Sequence, residues 1–372
     1  MPPKKKTRAD ILAAANKKYA DKFSIGFQSN TEFLDTGNIT LNHLIAPAKG
    51  MGGVPLGRIT QFYGQSMSGK TTAALQTAAM AQKKIREEGL EKFILYLDYE
   101  CALDESYAKA LGLDISDSDT FMMVRPDDFE TGANLARELI DSGEVLLAIW
   151  DSVPSMMPST VLEDEVGKPA VAPLPRVFAP FLGMLNPLLN KTNTAVIFIN
   201  HVGDKIGGMP GFGPPQKIRP GGKALTYYSS VMVEFIGTAK EKGKVYNVFG
   251  EEIEVPIATE TKMVCTKNKV GVPMREAKAL VRYGEGFDNF WVARRYFESK
   301  GLISGAAWIT VDDSLGGGKF NGKAQLQKHA NENPDWRQSI IDQASARLAS
   351  DEGNDHIAAA AKTAKLFPVD ED

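Results

Sequence analysis

The chain has 372 residues, 43% of them hydrophobic and 24% charged, with a formal net charge of −3. This is the composition of an ordinary soluble globular protein, long enough for one large domain with appendages or for two domains. It excludes a membrane-spanning helix, since no stretch approaches roughly 20 apolar residues, and its two distant cysteines, Cys101 and Cys265, exclude a disulfide framework and a cysteine-based zinc site and fit a reducing cytoplasm.

The first 22 residues carry Lys4, Lys5, Lys6, Arg8, Lys17, Lys18 and Lys22 against Asp10 and Asp21, with no apolar signal core behind them. Residues 10–22 are predicted as a short amphipathic helix that must pack on a neighbour, followed by an extended stretch in which Phe23, Ile25 and Phe27 alternate with Ser24, Gly26 and Gln28. That alternation suits an edge strand added to another sheet or, as the alternative, a terminus folded onto its own domain. From Arg58 the texture changes. Apolar runs at Ile59–Tyr63, Phe93–Leu97, Thr120–Val124, Val145–Trp150 and Ala195–Ile199 are predicted as buried parallel strands. Helices are predicted between them at Thr71–Glu88, Glu105–Leu111 and Phe129–Ser142, each stopped by a glycine. Such alternation implies a parallel sheet covered on both faces. Further strands are predicted at Ser230–Ile236, Glu260–Lys267 and Ala277–Tyr283. Residues 288–349 are expected to form a small lobe of short helices around the turn Leu315–Gly318, and 350–372 a weakly ordered tail that ends in Asp370, Glu371 and Asp372.

Gly64-Gln65-Ser66-Met67-Ser68-Gly69-Lys70-Thr71 has the spacing G-x-x-x-x-G-K-[ST] between a predicted strand and a predicted helix. Its glycines let successive N–H groups converge on phosphate oxygens at a helix N-terminus. Residues Gly64 through Lys70, Thr71 and Thr72 are therefore assigned to a nucleoside triphosphate, with Lys70 on the β- and γ-phosphates and Thr71 on Mg²⁺. Asp151 ends the apolar run Val145–Trp150, at the carboxyl end of a buried strand where ligands of such sheets sit, and is read as the second magnesium-shell residue. Asp98 and Glu100 follow the strand Phe93–Leu97; either carboxylate is placed to orient the attacking water.

Several segments in register resemble one family. They are Thr36–Asn42, Gly53–Ile59, Leu97–Asp104 with Tyr107-Ala108, Ile149–Val153, Phe198–His201, Lys267-Asn268-Lys269 and Tyr283–Gly286. On these the chain resembles the RecA family of recombinases from about residue 10 to 349, including phage-encoded relatives, because some positions depart from the bacterial pattern. The resemblance implies an α/β fold: a RecA-like phosphate-loop ATPase core with a mainly parallel sheet (37–287), an N-terminal helix and strand polymerisation arm (1–36) and a small α+β C-terminal lobe (288–349) that gathers duplex DNA. It implies that Glu100 activates the water, that Asp104 and Tyr107 contact the adenine, and that Lys267 and Lys269 reach the ATP of an adjacent subunit. His201 stands where many bacterial members have glutamine and is expected to sense the γ-phosphate. Thr226 and Met232 stand where bacterial members often carry basic residues.

Val202–Gly222 holds seven glycines and four prolines in 21 residues, an unusual density for a loop inside a compact domain. It matches the family's second DNA-binding loop. Lys205, Lys217 and Arg219 are expected to neutralise DNA phosphates, and Ile206, Met209 and Phe212 to stack on or wedge between bases. The first DNA loop is expected at Glu163–Arg176, with Arg176 as a cation. The implied function is ATP-dependent filament formation on single-stranded DNA and strand exchange with double-stranded DNA, in the cytoplasm of a bacterium or of its phage-infected counterpart, beside single-strand binding and mediator proteins and away from membranes. A ring helicase or motor and a nucleotide-binding regulator are the alternatives on the same core.

Overall fold

The computed structural model describes residues 7, 13–14, 17, 31–47, 50, 52–163, 173–204, 217–218 and 220–350. The chain forms two units, Met1–Glu32 and Phe33–Asp372. In the first, Ala13, Ala14 and Lys17 are helical and exposed; Phe23, Ile25 and Phe27, the predicted apolar face of the arm, lie outside the described residues.

In the second unit, strands β1 (Phe33–Leu34) and β2 (Val54–Pro55) pair with each other ahead of the main sheet. Then come β3 (Ile59–Gly64), β4 (Phe93–Asp98), β5 (Phe121–Val124), β6 (Val145–Asp151) and β7 (Ala195–His201). The short strands β8 (Gly203–Asp204) and β9 (Lys217–Ile218) pair antiparallel, and β10 (Val231–Tyr246), β11 (Glu252–Asn268), β12 (Glu276–Arg282) and β13 (Gly286–Phe287) complete the sheet. The nine strands run in the order β13-β12-β11-β10-β3-β7-β6-β4-β5. From β10 to β5 neighbours are parallel, and from β10 to β13 they are antiparallel.

The five predicted parallel strands are all present, displaced by a residue or two at their ends. They read as unbroken apolar runs because both faces are covered. On β6, Leu147 and Ile149 join the core under the helix Lys70–Glu88, whereas Val145, Ala148 and Trp150 join the opposite core with Phe129, Phe178 and Phe198. β7 divides in the same way, Ala195, Ile197 and Ile199 against Val196 and Phe198. On the second face Phe129, Phe178, Phe181, Trp150 and Phe198 make edge-on, tilted and stacked ring contacts with centroids 4.8–6.4 Å apart.

Two elements differ from expectation. Residues Pro173–Thr192 form one helix, so the predicted first DNA loop does not extend to Arg176, which lies exposed in the first turn of that helix. Pro173 and Pro175 are compatible with a first turn, where backbone N–H groups have no intrahelical acceptor. The second difference is that β10 and β11 run 16 and 17 residues, well past the predicted Ser230–Ile236 and Glu260–Lys267, and leave the sheet as a two-stranded ribbon.

After Asp288 the helix Asn289–Ser299, strands β14 (Ile303–Ser304), β15 (Trp308–Val311) and β16 (Gly318–Asn321), and the helices Gly322–Glu332 and Pro334–Ala349 enclose a separate core of Phe290, Phe297, Ile309, Leu326 and Ile340. Buried Asp288 joins it to the sheet. Its carboxylate accepts from Trp291 N (3.0 Å), Arg282 Nε (2.8 Å) and Arg337 Nη2 (3.4 Å). Among the described residues no helix is long and apolar enough to cross a membrane.

Candidate functional site

The turn Gly64–Gly69 stands between β3 and the helix Lys70–Glu88, at the carboxyl end of the parallel strands. Two glycines are required there. A Cβ on Gly64 would lie 2.1 Å from the Phe235 carbonyl oxygen, and Gly69 has φ +94° with Val281 and Phe287 packed 3.1 and 3.3 Å from where its Cβ would be. Inside the turn the Ser68 hydroxyl and the Lys70 ammonium both donate to the Gln65 carbonyl, at 2.8 and 2.6 Å, and Thr261 donates to the Ser68 carbonyl at 3.1 Å. Burial lowers the Lys70 pKa to about 8, while the charges of Asp151 and Glu100 pull it upward. Met67, at φ 60°, is exposed beside a cleft of about 350 Å³ whose lining includes Ser66, Thr238, Thr259 and Tyr283.

β6 delivers Asp151 next to this turn. Tyr96 donates to its Oδ2 at 2.8 Å, while Oδ1 is buried with no hydrogen bond. Burial pushes the carboxyl up to about 6; the Tyr96 and Thr71 hydroxyls oppose that rise and the nearby charge of Glu100 adds to it. A buried carboxylate oxygen with no hydrogen bond, on a side chain the Thr71 hydroxyl also acts on, offers the hard oxygen ligands a divalent cation takes, so Thr71 and Asp151 fit Mg²⁺. Among the described residues no cluster of three or more His, Cys, Asp or Glu side chains makes a protein-only metal cage; a magnesium ion shared with phosphate oxygens does not need one.

The two carboxylates at the end of β4 and just past it separate cleanly. Asp98 is buried and accepts from Ala102 N (3.3 Å), Leu103 N (3.4 Å) and Arg125 Nε (3.2 Å), so it serves the turn. Glu100 is a third exposed, lies 3.4 Å from His201 Nε2 and accepts a short hydrogen bond from the Ser152 hydroxyl. His201 and Ser152 hold its pKa below the ordinary carboxylate value against the opposing effect of burial. His201 ends β7, and the adjacent Asn200 donates to the Pro220 carbonyl at 2.9 Å. The β8–β9 pair, Gly203 with Ile218 and Asp204 with Lys217, closes the two ends of the glycine-rich segment. Lys205, Ile206, Met209, Phe212 and Arg219 lie outside the described residues.

Asp104 caps the helix Glu105–Ala110 by accepting from Tyr107 N at 2.7 Å, and the Tyr107 hydroxyl meets Thr72 Oγ1 at 2.7 Å. The predicted adenine contacts are thereby tied to the first turn of the phosphate-loop helix. Lys267 and Lys269 are not brought to the same site. On the sheet Lys267 is level with Met232 and Gln61, and Lys269 N bonds the Ser230 carbonyl near the amino end of β3, whereas Gly64 is level with Phe235. That separation is roughly 10 Å along the strands and two strands, about 10 Å, across them. Lys267 Nζ is turned away, donating to the carbonyls of Thr226 (2.6 Å) and Tyr227 (3.1 Å), and burial lowers its pKa. Lys269 Nζ lies 6.0 Å from the centre of the Tyr227 ring.

Sequence reasoning assigned no role to Tyr96, Ser152 or Tyr283. Ser152 directly follows Asp151 and was open to detection; Tyr96 is an apolar-looking member of a buried strand and carried no signal.

The RecA N-terminal domain family matches residues 12–288. The RecA proteins of Streptococcus pneumoniae strains Hungary19A-6 and CGSP14 are each 36% identical over 304 residues, which is 81% of this chain and 73% of theirs. Among solved structures the chain is similar to the RadB recombinase, at 21% identity and a TM-score of 0.47 over 68% of this chain and 98% of that one. With a family match across three quarters of its length and this identity to two RecA proteins, the chain belongs to the RecA family.

Proposed function

We propose that this chain is an ATP-dependent homologous recombinase that assembles head to tail on single-stranded DNA and exchanges strands with a homologous duplex, hydrolysing ATP when DNA is bound. The observation that carries this reading is the separation of Lys267 and Lys269 from the phosphate loop, roughly 10 Å along the strands and about 10 Å across them. If these lysines serve an ATP, it is the ATP of the next copy, and hydrolysis then depends on assembly.

In this reading the backbone of Gly64–Thr71 and Lys70 hold the triphosphate, while Thr71 and Asp151 hold magnesium, which when bound shields the phosphate charge. Glu100 keeps its carboxylate charged at neutral pH and orients water by accepting its hydrogen bond; a lowered pKa suits orientation better than proton abstraction, and phosphoryl transfer needs little of the latter. Asp104 and Tyr107 flank the adenine. His201 reads the γ-phosphate and, through Asn200 and Pro220, biases the glycine-rich DNA segment with its Lys205, Ile206, Met209, Phe212, Lys217 and Arg219. Arg176 adds a cation, and the lobe 288–349 gathers duplex.

The test is ATP hydrolysis with and without single-stranded DNA across a range of protein concentration. Strong stimulation with a cooperative concentration dependence is expected. Equal hydrolysis without DNA would overturn the recombinase reading and leave a phosphate-loop ATPase.

A further inference from the structure

β10 pairs with β3 only through Phe235, and β12 pairs with β11 only as far as Ala258. Beyond those points Lys242–Tyr246 and Glu252–Pro256 pair with each other alone. Strand geometry gives this ribbon a reach of roughly 30 Å past Gly237, at about 3.3 Å per residue. Its two faces differ in chemistry. One carries Lys242 and Lys244 against Glu254 and Glu252, paired at 3.1 and 2.6 Å. The other carries Val245 opposite Ile253 and Gly243 opposite Val255. The tip is built, not slack. The Asn247 side chain accepts from Phe249 N (2.9 Å) and Glu251 N (3.0 Å), and its amide donates to the Glu251 carboxylate at 2.9 Å. That frame holds Val248 and Phe249 outward, 93% and 83% exposed.

Three observations select an occupant for the apolar face and tip. The charges of the ribbon stem neutralise one another, so it offers no cationic track to nucleic acid. A lone two-stranded ribbon is marginally stable in water, and its exposed apolar face favours a covering surface. Its root, Gly237–Lys240, walls the cleft beside Ser66 and Met67, so the ribbon rises from the pole of the sheet that holds the phosphate loop. A copy whose Lys267 and Lys269 reached this phosphate loop would sit over that pole and occupy the space the ribbon enters. We infer that the ribbon is an intersubunit clasp, its apolar face and its Val248-Phe249 tip lying along the flank of the next copy of this chain. This rests on the head-to-tail reading above and adds a second contact to it, one that holds the copies together without touching ATP.

The test uses the full chain with single-stranded DNA and a non-hydrolysable ATP analogue. Val248→Ser combined with Phe249→Ser is expected to leave the melting temperature and the binding of fluorescent ATP by dilute protein unchanged, because both side chains are exposed. The protein concentration at half-assembly on DNA should rise at least tenfold. A photo-crosslinking residue at position 249 should form a bond to a second copy only when DNA and nucleotide are present. If wild-type chain assembles and the double variant assembles at the same concentration, or the crosslinks stay within one chain or go to other proteins, the clasp is overturned while the head-to-tail reading stands. If wild-type chain stays monomeric on DNA, the head-to-tail reading fails and the clasp fails with it.

Discussion

Replacing Asp151 by asparagine should stabilise the nucleotide-free protein, and by an amount that depends on pH in a defined direction. Asp151 is 5% exposed and one of its oxygens has no hydrogen bond. Its pKa is raised from 3.8 to about 6, chiefly by burial. Between those two values the folded chain keeps a proton that the unfolded chain has lost. The stability linked to this group is therefore fully present below about pH 4 and is lost as pH rises through about 6. A rise of about two units, at about 1.4 kcal/mol each, makes that loss roughly 3 kcal/mol. Asparagine cannot ionise, and its carbonyl can still accept from Tyr96. In urea titrations without nucleotide, Asp151→Asn should match wild type near pH 4 and exceed it by about 2–3 kcal/mol near pH 7.5. Adding magnesium with ATP should close the gap, because the ion stabilises only the ionised carboxylate, and the variant should not hydrolyse ATP. A difference between the two proteins that is the same at pH 4 and pH 7.5 would refute the assignment of a buried, unpaired carboxylate.

Glu100→Gln keeps the shape of the water-orienting group but removes its charge; hydrolysis should fall at least ~100-fold while ATP and DNA binding persist, leaving long-lived assemblies, and normal turnover would remove Glu100 from the reaction. Because burial places the Lys70 pKa at about 8 and a bound triphosphate favours its charged form, ATP affinity should be flat up to about pH 7 and then fall by up to about tenfold per unit above pH 8; fluorescent-ATP titrations that stay flat through pH 9 would contradict this. Lys70→Ala and the pair Lys267→Ala with Lys269→Ala should each be inactive alone. An equimolar mixture should recover about a quarter of wild-type hydrolysis if pocket and lysines come from different copies of a head-to-tail assembly, and a mixture as inactive as its parts would place the lysines in their own subunit's site.

The parts of this molecule legible in its sequence are those where one local pattern has one physical meaning. The phosphate loop was open to detection because the turn cannot form without Gly64 and Gly69, and the parallel strands because burial on both faces leaves no polar position in Val145–Trp150 or Ala195–Ile199. Asp98 and Glu100 were indistinguishable from composition and spacing, since both are acids just past a strand. What separates them is tertiary: Arg125 and two backbone amides take Asp98, while His201, from the end of another strand, faces Glu100. The helix Pro173–Thr192 was masked by its prolines, two of them, Pro180 and Pro187, in its interior; its burial of Phe178, Phe181, Leu182 and Leu185 against β6 and β7 outweighs the hydrogen bonds they remove.

The ribbon was masked by the reverse effect. Lys242, Lys244, Glu252 and Glu254 leave no apolar run along either strand, and alternation with Gly243, Val245, Ile253 and Val255 becomes a pattern only when the two strands are set in register. Charges that cancel across a strand pair are invisible to net charge and to any window along one strand. The same holds for Lys267 and Lys269. Read from spacing alone they are two cations with no local signal; the sheet register sets Lys267 level with Gln61, midway along β3, and Lys269 near its amino end, each two strands from the phosphate loop. Both features fit the proposed head-to-tail assembly: the ribbon leaves the sheet at the phosphate-loop end, whereas the lysines lie toward the opposite end, where the Thr226 and Tyr227 carbonyls hold Lys267.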